Sequence, residues 1–299
     1  MPLKDKSHVN ENHVNWDRKL LVISDLDGTL LDHTTYTFQP AMPAIQILMK
    51  RNIPLVLCTS KTRAEIEPIR TELQNTHPFI IENGGAIYIP KGYFSHAWNH
   101  NREDETYVII ELGTPYTQIR EVLKKIQSEE EERLRGFGDL TDKEVALFCD
   151  FSEGEARLAK QREYDEPFFL EDKSHLPKIE KMAAQANLQI TQGGRFLHLL
   201  GKNDKGQAVV QLKNFYDVQN GPYTTIGIGD SLNDLTMLEN VDYPVLVQKP
   251  GGHYDEAINL KNLMRAPGAG PDGWREAVME LLKKLGGGRS SDRDSDKQE

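Results

Sequence analysis

The feature that most constrains this chain is a series of short apolar segments, most of them followed by Gly, Ser or Thr. They are rich in Val and Ile and apolar on both faces, which is typical of parallel strands covered by helices on both sides. Amphipathic helical patterns lie between them, and this alternation predicts a doubly wound, Rossmann-like α/β fold with a parallel sheet. The clearest apolar segments are residues 20–23, 53–58, 79–81, 226–228 and 245–247, and the clearest helical patterns are residues 41–51, 206–216 and 274–285.

The middle of the chain has a different pattern and predicts an inserted α+β domain. Residues 107–112 have the character of a strand, and mixed helical and strand patterns continue from there to residue 200. Pro68 interrupts the helical pattern of residues 63–73, where we expect a kink or two short helices. The predicted units are a core domain of residues 1–90 and 199–285, an α+β cap of residues 91–198, and a disordered tail of residues 286–299.

Charge and composition argue against several classes of function. The 299 residues include 36 Lys and Arg but 46 Asp and Glu, and the resulting net charge of −10 disfavours nucleic acid or membrane partners. Two cysteines, Cys58 and Cys149, are too few for a disulfide framework. No apolar segment approaches the roughly 20 residues of a membrane helix, and residues 1–18 have no signal-peptide pattern. We therefore expect a cytoplasmic protein, of an oligomeric state that the sequence leaves open.

Two acidic motifs follow apolar segments at opposite ends of the chain. Asp25 and Asp27 lie in the string DLDGT (25–29), and Asp230 and Asp234 lie in GDSLND (229–234). Each could be an acidic turn or a helix cap, since carboxylates also stabilise the first turn of a helix. However, ligands of open α/β sheets bind at the carboxyl ends of the strands, where all four carboxylates would meet. Such a group repels itself unless a cation lies within it, and oxygen ligands favour Mg²⁺.

Two further residues complete a chemically coherent set. Lys205 begins the helical pattern after Asp204, and Thr59 ends the apolar segment 53–58 at the same predicted edge. Taken alone, Lys205 is as well explained as a surface lysine and Thr59 as a helix cap. Together with the carboxylates they provide a nucleophile, an acid, a hydroxyl donor and an ammonium group, which are the groups required for phosphoryl transfer to Asp.

These four motifs resemble those of the haloacid dehalogenase superfamily of phosphohydrolases, across essentially the whole core. The resemblance implies that Asp25 is the nucleophile and Asp27 the general acid and base. It implies phosphate binding by Thr59, Lys205 and Asn233. It also implies an Mg²⁺ site. The residues expected at that site are Asp25, Asp27 through its backbone carbonyl, Asp230 and Asp234. The position of the insert, between the second and third motifs, resembles the branch of the superfamily that has a large α+β cap.

Five stretches spread over core and cap also resemble the mannosyl-3-phosphoglycerate phosphatase family. They are TSKTRAEI (59–66), REYDEPF (162–168), GRFLH (194–198), KNDKGQA (202–208) and GPDGW (270–274). Ala269 departs from the family's glycine pattern at a position that we expect to be structural. The implied partner is a small phosphorylated sugar-glycerate, which carries a phosphate and a carboxylate.

Cations and polar groups of the cap and its rim are the candidates for binding that substrate. Arg162 and Arg195 are candidates for the carboxylate, because Arg offers a planar pair of donors, although each could equally be a surface ion pair. Lys61 is a candidate for the glycerate side, and is equally well explained as a solvated lysine. Glu163, Glu166 and His198 are candidates for sugar hydroxyls, although for His198 a satisfied place in the core is the more common outcome.

The sequence thus favours an Mg²⁺-dependent phosphomonoester hydrolase that forms an aspartyl-phosphate and releases mannosylglycerate or glucosylglycerate. An alternative is a broad-specificity sugar-phosphate phosphatase of the same superfamily, which would not need the glycerate carboxylate. A third reading, a non-catalytic sugar-phosphate binding protein, is disfavoured because Asp25, Asp27, Lys205 and Asp230 are all present.

Overall fold

The computed structural model describes residues 19–96, 99–129, 134–193 and 196–286. The predicted disordered tail, residues 286–299, lies outside the described residues except for its first residue. The strands are β1 (Lys19–Ser24), β2 (Leu55–Cys58), β3 (Phe79–Ile81), β4 (Ala86–Pro90), β5 (Arg102–Glu103), β6 (Tyr107–Glu111), β7 (Leu134–Gly136), β8 (Asp165–Leu170), β9 (Gln189–Gly193), β10 (Phe196–Leu200), β11 (Tyr223–Gly229), β12 (Tyr243–Gln248) and β13 (Met264–Ala269).

The helices confirm the predicted α/β alternation. They are α1 (Met42–Lys50), α2 (Arg63–Glu72), α3 (Tyr116–Glu129), α4 (Asp142–Cys149), α5 (Glu153–Ala159), α6 (Leu176–Gln185), α7 (Lys205–Asn220), α8 (Leu235–Glu239) and α9 (Gly270–Gly286). Of the two outcomes expected at Pro68, the two short helices are not found, because α2 is one helix that begins at a capping box between Thr62 and Glu65. Within the described residues, no helix is both long and apolar enough to cross a membrane.

The larger sheet has nine strands in the order β13-β12-β11-β1-β2-β3-β4-β6-β5. The six strands from β13 to β3 are parallel, and the last three are antiparallel. Strand β1 lies in the middle, with Val22 opposite both Ile226 of β11 and Leu55 of β2. Its side chains alternate between two apolar layers, one containing residues of α1 and α9 and the other residues of α7 and α8. This is the predicted doubly wound core.

The smaller sheet is antiparallel, in the order β7-β8-β10-β9. Helices α3 and α6 share one apolar cluster with its strands, and α4 and α5 contribute to a second cluster with Phe169 and Phe196. Since it is formed by a segment inserted between β6 and α7, this unit confirms the predicted α+β cap.

The sheet pairings differ from the predicted domain boundaries. Strands β5 and β6 extend the core sheet, with Tyr88 of β4 opposite Ile109 of β6, so these two strands, which were predicted as part of the cap, belong to the core sheet. At the other end, Leu199 and Leu200 lie in cap strand β10 rather than in the core. The sequence predicts the strand at residues 107–112 but carries no signal for the sheet that it joins, because that depends on its partner β4.

Candidate active site

The predicted catalytic side chains follow three neighbouring strands at the carboxyl edge of the core sheet. Asp25 and Asp27 come after β1, Thr59 after β2 and Asp230 after β11. The Asp25 N–H donates to the carbonyl oxygen of Ile228 at 2.9 Å, which fixes the loop after β1 against β11. The sheet therefore brings motifs from opposite ends of the chain to one edge, where ligands of α/β folds bind.

Asp25, Asp230 and Asp234 form a buried acidic cluster, in which one carboxylate oxygen of each lies within 4.8 Å of the others. Lys205 is buried beside it, and its Nζ donates to Oδ1 of Asp25 and Oδ1 of Asp234 at 2.6 Å each. The other oxygen of Asp234 accepts the backbone N–H groups of Asp230 and Ser231. Asp234 is thereby fixed as the residue that positions both Lys205 and the Asp230 loop.

Burial, and then the neighbouring Asp234 carboxylate, raise the pKa values of Asp25 and Asp230. Burial, and then Asp234, raise the pKa of Asp25 well above its usual range, with Lys205 opposing them. Burial and Asp234 likewise raise the pKa of Asp230 to about 6. Burial acts to lower the pKa of Lys205, but Asp234 and Asp25 more than offset this and hold it above its ordinary value. If all three carboxylates were ionised, their charge would exceed the single positive charge of Lys205, and the raised pKa values of Asp25 and Asp230 reflect that burial and repulsion.

Two oxygens of the acidic cluster remain available to a ligand. Oδ2 of Asp25 and Oδ2 of Asp230 accept no hydrogen bond from any described residue. Gly28, with φ +75°, keeps the loop after β1 close to them, since a Cβ there would lie 3.1 Å from Oδ2 of Asp230. Uncompensated carboxylate oxygens in a buried place fit a hard divalent cation.

The Asp27 side chain is not part of the acidic cluster. Nζ of Lys61 lies 3.0 Å from Oδ1 of Asp27 and 3.7 Å from Oε1 of Glu65. It also lies 5.3 Å from the ring centre of Tyr36 and 5.8 Å from that of Phe151. Burial acts to lower the pKa of Lys61, but Asp27 and Glu65 more than offset it and raise the pKa. Lys61 is therefore a charged group aimed at Asp27.

A cavity of about 310 Å³ lies above these residues and is lined from both domains. Part of its wall is aromatic and comes from Tyr36, Phe137, Phe151 and Phe196. Its polar lining includes Asp25, Asp27, Lys61, Arg162, His198, Asp230 and Asn233. Neither Thr59 nor Lys205 lines it, since both are fully buried beside it, where Oγ1 of Thr59 accepts the Lys61 N–H at 3.1 Å.

The loop after β2 also holds the cap. Oγ1 of Thr62 donates to the carbonyl oxygen of Leu158 at 3.0 Å, and the Arg162 guanidinium donates to the carbonyl oxygen of Ser60 at 2.8 Å. The ring of Phe151, which precedes α5, covers Lys61 from the cap side. The loop that carries Lys61 is therefore joined to the cap by two hydrogen bonds.

The structure separates the predicted cap residues into two groups. Arg162 and His198 line the cavity, but Arg162 also donates to the carbonyl oxygens of Ala159 and Ser60, which reduces its freedom to bind a ligand. Arg195 lies outside the described residues. His198 is buried yet faces the cavity, so it is neither a purely core residue nor exposed.

The sugar-binding role predicted for Glu163 and Glu166 is not supported by their positions. Neither lines the cavity. The Glu163 carboxylate pairs with Arg102 and accepts the Tyr88 hydroxyl, while Glu166 is buried and accepts from Arg120 at 2.6 Å. Both carboxylates therefore serve contacts within the protein.

Comparison with known proteins places this architecture in a family. A family model described as haloacid dehalogenase-like hydrolase matches residues 22–250. The chain belongs to the haloacid dehalogenase-like hydrolases. A solved structure of protein 0175 from Thermoplasma acidophilum has the same fold as this hydrolase, with a TM-score of 0.64 at 18% identity, covering 90% of this chain and 98% of that one.

Two relatives of this haloacid dehalogenase-like hydrolase are similar over nearly their whole lengths. A protein of Methanococcoides burtonii is 48% identical over 267 residues, covering 89% of this chain and 98% of the relative. A protein of Persephonella marina is 40% identical over 268 residues, with the same coverage. Both are named glucosyl-3-phosphoglycerate/mannosyl-3-phosphoglycerate phosphatase.

Several residues of this hydrolase's site are absent from the sequence prediction. Asp165, fully buried, bonds His198, and Asn83 links Asp165 to Asn233. Glu65 lies between Lys61 and Arg162. Asp165 stands inside the REYDEPF stretch that carries the finer resemblance, which is a usable signal, whereas nothing local marks Asn83 as a partner of cap residues.

Proposed function

We propose that this protein is an Mg²⁺-dependent phosphatase that hydrolyses glucosyl-3-phosphoglycerate or mannosyl-3-phosphoglycerate and releases the glycosylglycerate and phosphate. The observation that carries the reaction type is Asp25, which lines the cavity and whose Oδ2 accepts no hydrogen bond from a described residue while Oδ1 accepts one from Lys205. The substrate is supported by the 48% and 40% identical relatives with that name.

In the first step, Oδ2 of Asp25 attacks phosphorus and the bond from phosphorus to the glycerate oxygen breaks. Asp27 gives its proton to that departing alkoxide, a general acid role worth about 10²–10⁴ in rate. Lys205 holds the Asp25 carboxylate in a single orientation through its 2.6 Å hydrogen bond. The products of this step are the free sugar-glycerate and an aspartyl-phosphate.

In the second step, the Asp27 carboxylate takes a proton from water, whose oxygen attacks phosphorus and displaces the Asp25 carboxylate. Phosphate leaves and both aspartates return to their starting states. Mg²⁺ held by Asp25 and Asp230 would neutralise the charge of the phosphate oxygens. Phosphate-binding roles for Thr59 and Asn233 belong to the same proposal.

The cavity suits a small sugar ester. Its volume of about 310 Å³ is at the lower end of ligand pockets, roughly 300–1,000 Å³, and its aromatic wall offers flat faces to a sugar ring. Because the wall comes from both core and cap, it can contact the leaving group beyond the phosphate. A small-molecule partner is therefore proposed.

The test is phosphate release by the wild type and by Asp25→Asn, with Mg²⁺ and with EDTA. The substrates are glucosyl-3-phosphoglycerate, mannosyl-3-phosphoglycerate, 3-phosphoglycerate and mannose 6-phosphate. We expect the glycosylated phosphoglycerates to be preferred, EDTA to abolish turnover, and Asp25→Asn to lose at least about 10³-fold in kcat.

Thermal unfolding accompanies this test, with Asp272→Asn on the exposed surface of α9 as the matched control. Since Asn removes one repelling carboxylate from the acidic cluster, we expect Asp25→Asn to be at least as stable as the wild type in EDTA. Near-normal turnover by Asp25→Asn would overturn the mechanism, and better turnover of mannose 6-phosphate would overturn the substrate.

A further inference from the structure

His198 presents one ring nitrogen to the cavity and the other to a buried carboxylate. Its Nδ1 lies 2.9 Å from Oδ2 of Asp165, which is fully buried. Burial acts to raise the pKa of Asp165, but His198, Arg162 and Asn83 more than offset it and lower the pKa. An ionised carboxylate only accepts, so Nδ1 carries the proton, and the ring is turned with Nε2 toward the cavity.

Asp165 also fixes a residue of the core. Nδ2 of Asn83 donates to Oδ2 of Asp165 at 2.8 Å, and Oδ1 of Asn83 accepts from Nδ2 of Asn233 at 3.1 Å. Asn83 has φ +55°, a left-handed conformation that Asn tolerates better than most residues. A continuous set of hydrogen bonds therefore runs from His198 in the cap to Asn233 on the phosphate side.

The two ends of this set face each other across the Gly193 gap, which we define as the space beside the α-carbon of Gly193. A Cβ on Gly193 would lie 3.2 Å from Nδ2 of Asn233 and 3.5 Å from Nε2 of His198. Gly193 lines the cavity, and no described residue makes a hydrogen bond with Nε2. The gap is therefore small, polar at both ends and open to the cavity.

The place of the gap decides which part of the substrate it can hold. The glycerate is bonded directly to the phosphate, whereas the sugar lies one group further away. Of the two arginines predicted to bind the carboxylate, Arg195 lies outside the described residues and Arg162 already donates to two carbonyl oxygens. Because Nδ1 of His198 is bonded to Asp165, Nε2 is the ring atom left to contact a ligand group in the gap.

We propose that His198 binds the glycerate carboxylate in the Gly193 gap and that Asp165 is the positioning residue that orients its ring. This inference rests on the proposed function, because it assumes a substrate that contains glycerate.

The test compares glucosyl-3-phosphoglycerate with an analogue in which the carboxylate is reduced to an alcohol. His198→Asn keeps a donor for Asp165 but removes Nε2, and we expect it to lower kcat/KM for the carboxylate substrate about 10–100-fold, the size of one charged hydrogen bond. On the alcohol analogue the change should be about threefold or less. His198→Gln, whose amide reaches the position of Nε2, should recover part of the loss.

Two further variants separate positioning from stability. Asp165→Asn should raise KM for the carboxylate substrate more than KM for the alcohol analogue, because any shift passed through Asn83 to Asn233 affects both substrates equally. Gly193→Ala fills the gap and should have the same selectivity; its Cβ would lie 3.2 Å from Nδ2 of Asn233, and the alcohol analogue reports separately any effect of shifting that amide. His77→Asn, which removes a histidine hydrogen-bonded to Tyr93 outside the cavity, is the matched control for folding.

Equal losses on both substrates in His198→Asn and Gly193→Ala would overturn the inference, as would a wild type that does not prefer the carboxylate. A wild type that hydrolyses neither substrate would overturn the proposed function itself, which is a distinct result.

Discussion

At the scale of single residues, Lys61 is the group whose environment is most specific. Its ammonium group lies 3.0 Å from Asp27 and is covered by the rings of Tyr36 and Phe151. A lysine with about a tenth of its side chain exposed has few positions open to it, so its charge stays beside Oδ1 of Asp27. We therefore expect Lys61 to act on the leaving group through Asp27.

Replacing Lys61 with Met should lower kcat/KM most for substrates whose leaving group must be protonated as it departs. An alkoxide leaving group needs Asp27 as an acid, whereas the nitrophenolate of p-nitrophenyl phosphate does not. We expect kcat/KM for the sugar-glycerate ester to fall at least about tenfold more than kcat/KM for p-nitrophenyl phosphate, since general acids contribute about 10²–10⁴. Lys61→Arg, which keeps the charge, should lie between. An equal fall on both substrates would contradict this role.

The residues of the acidic cluster could be predicted because each stands in a short motif directly after a buried strand. Asp165 and Asn83 could not be paired in the same way, since their contact joins positions 82 residues apart in the chain. The sugar-binding role predicted for Glu163 and Glu166 is not supported although their local sequence matches the family. Their stretch resembles the family, but the side chains are taken up by Arg102 and Arg120, and no local pattern reveals those ion pairs.

At the scale of elements, the turn between β3 and β4 joins the two domains. Glu82 in this turn is fully buried, and its carboxylate accepts the backbone N–H groups of Glu163 and Tyr164, which lead into cap strand β8. Burial is the main cause that raises the pKa of Glu82 to about 8, and Arg162 opposes it. Folding therefore binds a proton here that the unfolded chain, with an ordinary pKa near 4.5, does not hold at neutral pH.

The sign of the resulting pH dependence follows from this difference. Between pH 4.5 and 8 the folded state holds more protons at Glu82, so its contribution to the free energy of unfolding is greatest below this window and falls as pH rises. Glu82→Gln lacks this titration. The melting temperature of Glu82→Gln minus that of the wild type should become more positive from pH 5 to pH 9.

The control for this comparison is Glu239→Gln, at an exposed position of α8. Its difference from the wild type should stay flat over the same pH range. A flat difference for Glu82→Gln as well would mean that Glu82 does not titrate in this window.

The positions of strands and helices were predicted better than the sheet that each strand joins. The apolar segments of β1, β2, β3, β11 and β12 all form strands, because segments buried on both faces have a strong local signal. Strand β6 is likewise apolar, but it pairs antiparallel with β4 and so extends the core sheet rather than the cap sheet. In α2, Pro68 is accommodated because the helix is fixed by the capping box at Thr62 and by the buried side chain of Ile66 before Pro68, and by the buried side chain of Arg70 after it.

At the scale of the whole molecule, this acidic protein buries the three carboxylates of its acidic cluster together at the carboxyl edge of the core sheet. With a net charge of −10 and a buried acidic cluster, the folded state is destabilised by repulsion between carboxylates, which a bound cation would reduce. Mg²⁺ should therefore stabilise the fold in the absence of substrate.

We expect saturating Mg²⁺ to raise the melting temperature by about 5 °C or more relative to EDTA. A ligand at 100 times its dissociation constant adds about 2.7 kcal/mol, and each kcal/mol is worth roughly 2–4 °C in a protein of this size class. Asp230→Asn should lose most of this rise. The same rise in Asp230→Asn would place the cation elsewhere.

The two hydrogen bonds from the loop after β2 to the cap have a consequence for the order of events in a catalytic cycle. A conformation in which the cap moved away from the core would separate Thr62 from Leu158 and Ser60 from Arg162, and it would withdraw Phe151 from Lys61. Opening of the cap and the catalytic arrangement of Lys61 beneath Phe151 would then exclude each other. In such an open conformation hydrolysis would be disfavoured, because water entering with the substrate would meet Asp27 without the covered Lys61 beside it.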